Sequence, residues 1–217
     1  MIRVEHITVF NFEGAIRGLR NPMNSWDKSD SRIATKLDVG TIHGVIEGQF
    51  ILGANDLDLM RRLYKAGHPH RKYLRQIMVS MDITVPLYWW KEMDQYRVGV
   101  TTNSCSTMHK IHSKEFTLDD FSHEQLTAYS EDCLLKTIAV LNSYRQDFLK
   151  DKSDKRMWWQ MIQLLPSSYN QKRTITCNYE NIVNMLQYRS DHKLDEWRTF
   201  CETMLNDLPY LKEIIND

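Results

Sequence analysis

The pattern of hydrophobic and polar positions along the chain predicts its strands. Residues 2–10 alternate between apolar and polar side chains, and this period of two predicts a half-buried β-strand. The longer apolar run over residues 77–85 predicts a buried strand, and Pro86 suits the first turn of a helix that follows it. Residues 173–177 form a further candidate strand, because they are rich in β-branched side chains.

Apolar side chains spaced by three and four residues predict the helices. The predicted helices cover residues 12–19, a segment capped by Asn55 or Asp56 and ended by Gly67, and residues 126–148, 157–165, 179–190 and 193–206. The Ser-His-Glu-Gln sequence at 122–125 has the pattern of a capping box, which predicts that it opens the third of these helices. Residues 21–53 are rich in Asn, Ser, Asp and Gly and predict a long loop, with a hairpin around residues 40–53.

Strand and helix patterns are interspersed, with no internal repeat, linker or low-complexity segment between them. A chain of 217 residues is long enough to bury a sizeable core. We therefore predict one domain over residues 1–217, of the α/β or α+β class.

The charge and the hydropathy of the chain limit the classes of function that it can have. The 28 basic and 28 acidic residues give a formal net charge of zero, so no global positive field favours nucleic acid and any anion site must be local. No apolar run reaches the roughly 18 residues that a membrane span needs. The N-terminal residues lack a signal-peptide pattern, and a cytoplasmic location is expected.

The cysteines and histidines do not form a metal-binding pattern. The four cysteines contain no C-x-x-C pair, which argues against both a zinc site and a disulfide framework. Cys133 and Cys201 fall on apolar helix faces and are expected in the core. His68 and His70 could chelate a metal from a turn, but no third ligand is near them in sequence, so we predict no metal site.

Arg189 is the most informative single residue. It follows Ile182, Met185 and Leu186 at helical spacing, so it lies on the apolar stripe of its helix. A buried charge without a partner costs several kcal/mol, so the guanidinium should meet a carboxylate, a phosphate or a polarised carbonyl. A purely structural alternative is an internal ion pair, with Glu180, Asp191 or Glu196 as candidates, or a side chain that reaches solvent.

The segment around Arg189 resembles the flavin-dependent thymidylate synthases. Asn178, Asn184 and Arg189 match that family's pattern of Asn, six residues, Asn, five residues, Arg without gaps. The resemblance implies that flavin is contacted by Asn178, Tyr179, Glu180 and Asn184, and that Arg189 contacts the pyrimidine and favours its ionised form. A flavin-contacting histidine of the family is replaced by Lys193, with His192 one place away. Asn178 has a structural alternative as a simple helix N-cap.

The central segment resembles the same family less closely. The family's Arg-His-Arg triplet is Gln95-Tyr96-Arg97 here, and one phosphate-binding arginine is absent after Ser106, while another is replaced by Ile162. The resemblance implies two sets of residues. The cofactor set is Lys72, Gln95, Tyr96, Arg97 and Asn103, and the substrate set is His70, Glu92, Gln95, Asn103, Ser104, Cys105, Ser106 and Arg189.

The activity implied by the resemblance is the conversion of dUMP to dTMP. FAD is the implied cofactor, methylenetetrahydrofolate and NADPH are the co-substrates, and the fold is a central mixed sheet flanked by helices. The active sites would lie at the subunit interfaces of a homotetramer. The missing arginines predict weaker dUMP binding unless Arg71, Lys72, Lys110 or Arg173 compensates.

Other interpretations remain open from the sequence alone. The chain could be a flavoenzyme of the same fold that acts on another pyrimidine nucleotide, or a non-catalytic homologue that binds a nucleotide or flavin. Cys105 and His109 are a weaker candidate for a nucleophile and its base. The pairs Trp89-Trp90 and Trp158-Trp159 could stack on a flat ring, although such pairs are more often core aromatics.

Overall fold

A computed structural model describes residues 2–42 and 44–216. Its strands are β1 (Arg3–Phe10), β2 (Arg32–Ile33), β3 (Phe50–Ile51), β4 (Met78–Pro86), β5 (Thr101–Ser104) and β6 (Asn170–Asn178). Its helices are α1 (Phe12–Arg20), α2 (Lys36–Thr41), α3 (Ala54–Lys65), α4 (Leu87–Met93), α5 (Ala128–Lys150), α6 (Lys155–Leu164), α7 (Tyr179–Arg189), α8 (Asp195–Asp207) and α9 (Leu211–Ile215). The predicted strands and helices are therefore found, with most boundaries shifted by one to three residues.

A four-stranded sheet in the order β1-β4-β6-β5 lies at the centre, with helices around it. Strands β1, β4, β6 and β5 pair antiparallel at each of the three contacts, so the expected mixture of strand directions does not occur in this sheet. The predicted fold class, a sheet flanked by helices, is confirmed.

The buried strand β4 organises the main core. Alternate residues of β4 are at most 1% exposed, as the period of two requires for a strand with one face in the core. Its neighbour β6 adds Ile175 and Cys177, which lie opposite Met81 and Val79. Pro86 ends β4 and precedes α4 as its N-cap residue, one position earlier than predicted.

A second, smaller core lies between α5, α6 and the segment before them. Helix α5 buries Leu134, Ile138, Leu141 and Phe148, which share one face at helical spacing. Cys133 lies off this face and is exposed, so its predicted core position was wrong, whereas Cys201 is buried as predicted.

The predicted capping box at 122–125 was also wrong. The backbone N–H of Ser122 donates to the carbonyl of Ser168 at 2.8 Å, next to a β-bridge between Phe121 and Tyr169. This extended pairing keeps Ser122 out of a helix. Helix α5 instead begins at Ala128, after the N-cap residue Thr127.

Residues 21–53 contain more regular structure than the loop predicted there. A short hairpin pairs Arg32 with Ile51, so its first strand precedes the predicted range, and residue 43 lies outside the described residues. The expected cap of α3 was misplaced as well. Helix α3 starts at Ala54, and the carboxylate of Asp30 accepts the backbone N–H groups of Asn55 at 2.9 Å and Asp56 at 3.1 Å.

A buried ion pair fixes this segment to the rest of the fold. Arg20 is 4% exposed and donates through Nε to Asp56, which is fully buried, at 2.6 Å. The other oxygen of Asp56 accepts the hydroxyls of Ser29 at 2.7 Å and Ser31 at 2.6 Å. Burial alone would raise the pKa of Asp56, but the hydrogen bonds from Ser31, Ser29 and Arg20 lower it below its ordinary value.

None of the helices in the described residues has the length and apolar character that crossing a bilayer requires. Within residues 2–42 and 44–216, no group of three or more His, Cys, Asp or Glu side chains is arranged to hold a metal ion.

Candidate active site

The carboxylate of Glu92, near the C-terminal end of α4, contacts the last residue of α7, the segment after α7 and the first turn of α8. Its Oε2 accepts from Nη1 of Arg189 at 2.9 Å and from the indole Nε1 of Trp197 at 3.1 Å. The imidazole Nε2 of His192 lies 3.2 Å from the same oxygen. Nε of Arg189 donates to the hydroxyl of Tyr96 at 3.0 Å. Glu92 and Arg189 of the predicted substrate set therefore lie together, with Tyr96 of the predicted cofactor set beside them.

Helix α7 explains the position of Arg189. The helix buries Ile182, Met185 and Leu186 against the core, and Arg189 continues this face at its last residue. Its side chain is only 16% exposed, which confirms the prediction from the apolar stripe. The guanidinium also lies over the ring of Trp197, with Cζ 5.1 Å from the ring centroid.

The ion-pair partner of Arg189 differs from the three carboxylates that the sequence suggested. Glu180, Asp191 and Glu196 do not pair with it, and Glu92 does. Glu92 is 97 positions away in the chain, so helical spacing could not reveal it. His192 and Trp197 were also missed as members of this cluster. The one available signal for His192 was its place next to the position where the family has a histidine.

This cluster can bind a polar ring. Arg189 has five N–H donors, and its side chain gives one to Tyr96 and one to Glu92, so donors remain for a ligand. Glu92 is 30% exposed and balances the charge of Arg189 in the free protein. A ligand carbonyl could therefore accept from the guanidinium without first having to displace the carboxylate.

A second group of predicted residues lies at the N-terminal end of α7. Asn178 and Asn181 form a reciprocal cap, in which Oδ1 of Asn178 accepts the N–H of Asn181 at 3.0 Å and Oδ1 of Asn181 accepts the N–H of Asn178 at 3.1 Å. The structural role of Asn178 as an N-cap is thus confirmed. Nδ2 of Asn181 donates to the carbonyl of Val98 at 2.8 Å, which ties the loop after α4 to this cap.

Gly99 allows that loop to approach so closely. Its φ of 75° is in the left-handed region, and a Cβ there would lie 3.0 Å from Nδ2 of Asn178. The predicted loop residues Gln95 and Arg97 are exposed, and Nε of Arg97 donates to the carbonyl of Asp94 at 2.8 Å.

Glu180, in the first turn of α7, is surrounded by cationic side chains. Its carboxylate is 6% exposed and lies 3.3 Å from Nε of Arg71 and 3.2 Å from Nε2 of His68. It also pairs with Nε of Arg75. Two arginines around one carboxylate leave a net positive charge, which suits an anionic ligand.

The other predicted residues near this helix differ in their surroundings. Tyr179 is fully buried, and its hydroxyl donates to the carbonyl of Pro209 at 2.7 Å. Asn184 is half-buried on α7, and His70 and Lys72 are exposed next to the cationic cluster in sequence. Lys193 is exposed just before α8.

The remaining residues of the predicted substrate set lie along the edge of the sheet. Asn103 and Ser104 belong to β5, whose four residues are all exposed, and they lie opposite Thr174 and Arg173 of β6. The N–H of Cys105 continues this pairing by donating to the carbonyl of Lys172 at 2.9 Å. Oγ of Ser106 accepts the backbone N–H of His109 at 3.0 Å. Cys105 and Ser106 line a cavity of about 350 Å³ that also receives Arg3, Lys110 and Lys172.

The two tryptophan pairs of the sequence differ in burial. Trp89 and Trp90 are fully buried and pack edge to face with ring centroids 5.1 Å apart, so they are core aromatics. Trp159 is 48% exposed, and Nε1 of Trp158 donates to the carbonyl of Met108 at 2.9 Å.

The two ends of α7 are separated by the length of the helix. Arg189 lies eleven positions after Asn178, which corresponds to about 16 Å at the usual helical rise. The cationic cluster, formed by His68, Arg71 and Arg75 around Glu180, is thus far from the Arg189 cluster, formed by Glu92, Tyr96 and Arg189. The two clusters of one chain cannot contact the same small ring.

Comparison of the whole structure with solved structures identifies the fold. A crystal structure of thymidylate synthase X from Helicobacter pylori with FAD and dUMP matches with a TM-score of 0.68 and 15% sequence identity, over 98% of this chain and 95% of that one. The chain has the fold of the flavin-dependent thymidylate synthases. A second structure of the Helicobacter pylori enzyme, complexed with FAD and dUMP, gives a TM-score of 0.65 and 16% identity over 98% and 97% of the two chains.

A third neighbour with the thymidylate synthase-like fold has a related activity. The UMP/dUMP methylase PolB from Streptomyces cacaoi, bound with 5-Br UMP, matches with a TM-score of 0.57 and 14% identity over 94% of this chain and 87% of that one. No protein-family model matches the sequence, and no curated protein sequence does. The likeness is therefore carried by the fold.

Proposed function

We propose that this protein is a flavin-dependent enzyme that methylates the uracil ring of a nucleotide, with dUMP as substrate and dTMP as product. The observation that carries the proposal is the fold likeness over 94–98% of the chain to three structures, each of which holds a uracil nucleotide or its bromo analogue. Methylenetetrahydrofolate supplies the carbon, and the enzyme acts as a cytoplasmic homotetramer of one-domain subunits.

Arg189 has the central chemical role in this proposal. Methylation at C5 of uracil builds negative charge on the ring carbonyls and N3. A half-buried guanidinium that is already oriented by Tyr96 and Glu92 stabilises that charge more strongly than water does. Glu92 holds the fork of Arg189 in place before the nucleotide binds.

The residues near the N-terminus of α7 fit a flavin dinucleotide. The cluster of Arg71, Arg75 and His68 exceeds the charge of Glu180 and can pair with a diphosphate. Asn178, Asn184, Lys72, Arg97 and Lys193 would supply further contacts. When bound, the flavin would accept electrons from NADPH and, in its reduced form, would supply the hydride that reduces the transferred methylene group to methyl.

The separation of the two clusters supports a site shared between subunits. Since Arg189 and the cationic cluster lie at opposite ends of α7, a flavin held at one end can meet a pyrimidine held at the other end only if the ligand spans the helix or a second chain contributes. A homotetramer with sites at subunit interfaces satisfies the second condition.

A second candidate is methylation of a different pyrimidine nucleotide, such as UMP. The phosphate contacts of the family are changed here, because its two arginine positions are Ile162, which packs in the second core, and Thr107 or Met108. This change bears on the affinity for either nucleotide, since UMP and dUMP carry the same phosphate. The similarity to a UMP/dUMP methylase agrees with this alternative. Lys110, which lines the cavity at Ser106, is a candidate substitute for a phosphate-binding cation.

Flavin binding tests the proposal directly. Purified protein reconstituted with FAD is expected to show a bound-flavin absorbance band and altered flavin fluorescence. Titration with dUMP and UMP should then perturb the band, because both rings would lie in one site. If the purified protein binds neither FAD nor a uracil nucleotide, the proposal fails.

Arg97→Ala is expected to weaken FAD or nucleotide binding by about tenfold to a hundredfold, the scale of one charge-assisted contact. The side chain is exposed and its Nε bonds only a backbone carbonyl of its own loop, so its loss should cost the fold little. Fluorescence titration of FAD and calorimetric titration of dUMP measure the effect. Unchanged affinities with a lowered melting temperature would instead assign Arg97 a structural role.

A further inference from the structure

Glu92 uses one of its two carboxylate oxygens for contacts within the chain. Each hydrogen bond that a described residue makes to this carboxylate goes to Oε2, from Arg189 at 2.9 Å and from the indole of Trp197 at 3.1 Å. The imidazole of His192 also reaches Oε2, at 3.2 Å. The side chain is 30% exposed, so the other oxygen, Oε1, is open to a ligand that binds beside the guanidinium.

His192 meets this carboxylate as a neutral donor. Its Nδ1 accepts the backbone N–H of Leu194 at 3.2 Å, so that ring nitrogen carries no proton. The proton is then on Nε2, which lies next to Glu92. The charges of Glu92 and Arg189 therefore cancel within the cluster. The titratable groups around it are occupied or protonated: Asp94 pairs with Arg173, and burial raises the pKa of the Cys201 thiol to about 11.

A neutral ion pair does not favour an anionic ring. A guanidinium without a carboxylate stabilises a uracil that has lost its N3 proton, and this is the preference that the family resemblance implies for Arg189. Here Glu92 lies 2.9 Å from the guanidinium, so an ionised ring beside the pair is attracted by one group and repelled by the other. The un-ionised ring avoids this conflict, because a carbonyl can face the guanidinium while N3–H faces the carboxylate.

We infer that Glu92 selects the un-ionised form of the uracil ring, with Oε1 accepting N3–H while Arg189 donates to the neighbouring carbonyl. This assignment rests on the proposed function, because it takes a uracil nucleotide as the ligand of the Arg189 cluster. Glu92 thereby determines specificity, since the site distinguishes rings by whether they present an N–H next to a carbonyl. Arg189 still meets the charge that develops on that carbonyl during the reaction.

The nucleotides dUMP and 5-fluoro-dUMP are matched probes of this selection. Fluorine is close to hydrogen in size, but it withdraws electrons and lowers the pKa of N3, so the fluorinated ring ionises at a lower pH. Titration calorimetry of the FAD-loaded full chain, without folate, gives both affinities from neutral to mildly alkaline pH. The ratio of the two affinities at each pH cancels the titration of protein groups such as His192 and Tyr96, because both ligands meet the same protein.

The affinity ratio should move against the fluorinated nucleotide as the pH rises. If the un-ionised ring is the form that binds, 5-fluoro-dUMP loses about tenfold in affinity relative to dUMP for each pH unit above the pKa of its N3, until dUMP also ionises. In Glu92→Gln this fall should disappear, because the guanidinium then has no carboxylate beside it. Asp191→Asn removes an exposed carboxylate two positions after Arg189 and should keep the wild-type fall.

The direction of the pH effect separates this inference from the proposed function. If the wild-type chain binds dUMP but its preference shifts toward 5-fluoro-dUMP as the pH rises, the site selects the ionised ring. The inference is then overturned while the proposed function stands. An equal fall of the ratio in Glu92→Gln and in the wild type would also overturn it. A chain that binds neither nucleotide refutes the proposed function and this inference together.

A folding defect can be distinguished from a change in selection. If the melting temperature shows that Glu92→Gln is unfolded, Glu92→Asp is measured instead, because it keeps the charge and withdraws the carboxylate by one methylene. This variant should bind dUMP about tenfold more weakly, since the hydrogen bond from N3–H is lost. A folded Glu92→Asp with wild-type affinity for dUMP would contradict the inference.

Discussion

Arg189→Ala is expected to reduce turnover about a hundredfold or more, the scale of removing one preorganised donor from an active site. The substitution removes the half-buried guanidinium that Tyr96 and Glu92 orient, so charge on the pyrimidine would lose its counterpart. Arg189→Lys is expected to cost roughly tenfold or more, because lysine keeps the charge but loses the planar fork. Steady-state kinetics with dUMP and UMP, together with calorimetric affinities, provide the measurement.

Stability measurements distinguish a chemical role of Arg189 from a structural one. Glu92 is partly exposed and retains the indole of Trp197 as a donor, so the folded state should survive the loss of the arginine. Arg62→Ala is the matched control, since it breaks an exposed pair with Asp58. A large drop in melting temperature with normal nucleotide affinity in the folded fraction would show that Arg189 is mainly a structural ion-pair partner.

Asp56→Ala is expected to destabilise the fold by about 3–5 kcal/mol, the cost of breaking a buried ion pair from one side. Arg20 would be left in the core without its carboxylate, and the hydroxyls of Ser29 and Ser31 would lose their acceptor. Urea denaturation followed by circular dichroism measures the change in the free energy of unfolding.

The control and the pH dependence make this prediction specific. Asp58→Ala removes the carboxylate of an exposed pair on the same helix and should change the unfolding free energy by about 1 kcal/mol or less. Because the folded-state pKa of Asp56 is lowered, its contribution is complete above the ordinary aspartate pKa and is lost as the pH falls through the folded-state value. Equal effects of the two variants at neutral pH would contradict a special role for Asp56.

The fold could be predicted in outline because its main elements have strong local patterns. The apolar run of β4 and the stripe of α7 each bury one side in the way the sequence implies, and the alternation of β1 leaves Val4, Ile7 and Val9 half-buried against the core. The predictions of helix starts were wrong where contacts with residues distant in sequence replaced the local capping pattern. Ser122 pairs with Ser168, and Asp30 takes over the cap of α3 from Asn55 and Asp56.

The candidate site was predictable only in part for a similar reason. The burial of Arg189 follows from residues three, four and seven positions away, and the structure confirms it. Its partner Glu92 and the packing of Trp197 depend on how α4, α7 and α8 meet, which local periodicity does not encode. The grouping of Arg71, Arg75 and His68 on Glu180 likewise joins segments more than 100 residues apart.

The short strand β5 has a consequence for how substrate choice can change. Its four exposed side chains take no part in the core, and β5 is attached to β6 through backbone groups that every residue except proline provides. Side chains at 101–104 can therefore be exchanged at little cost to stability, whereas Arg20 or Asp56 cannot. Under the proposed function this edge carries the predicted substrate residues Asn103 and Ser104, so a library of variants that probes nucleotide preference would best be made here.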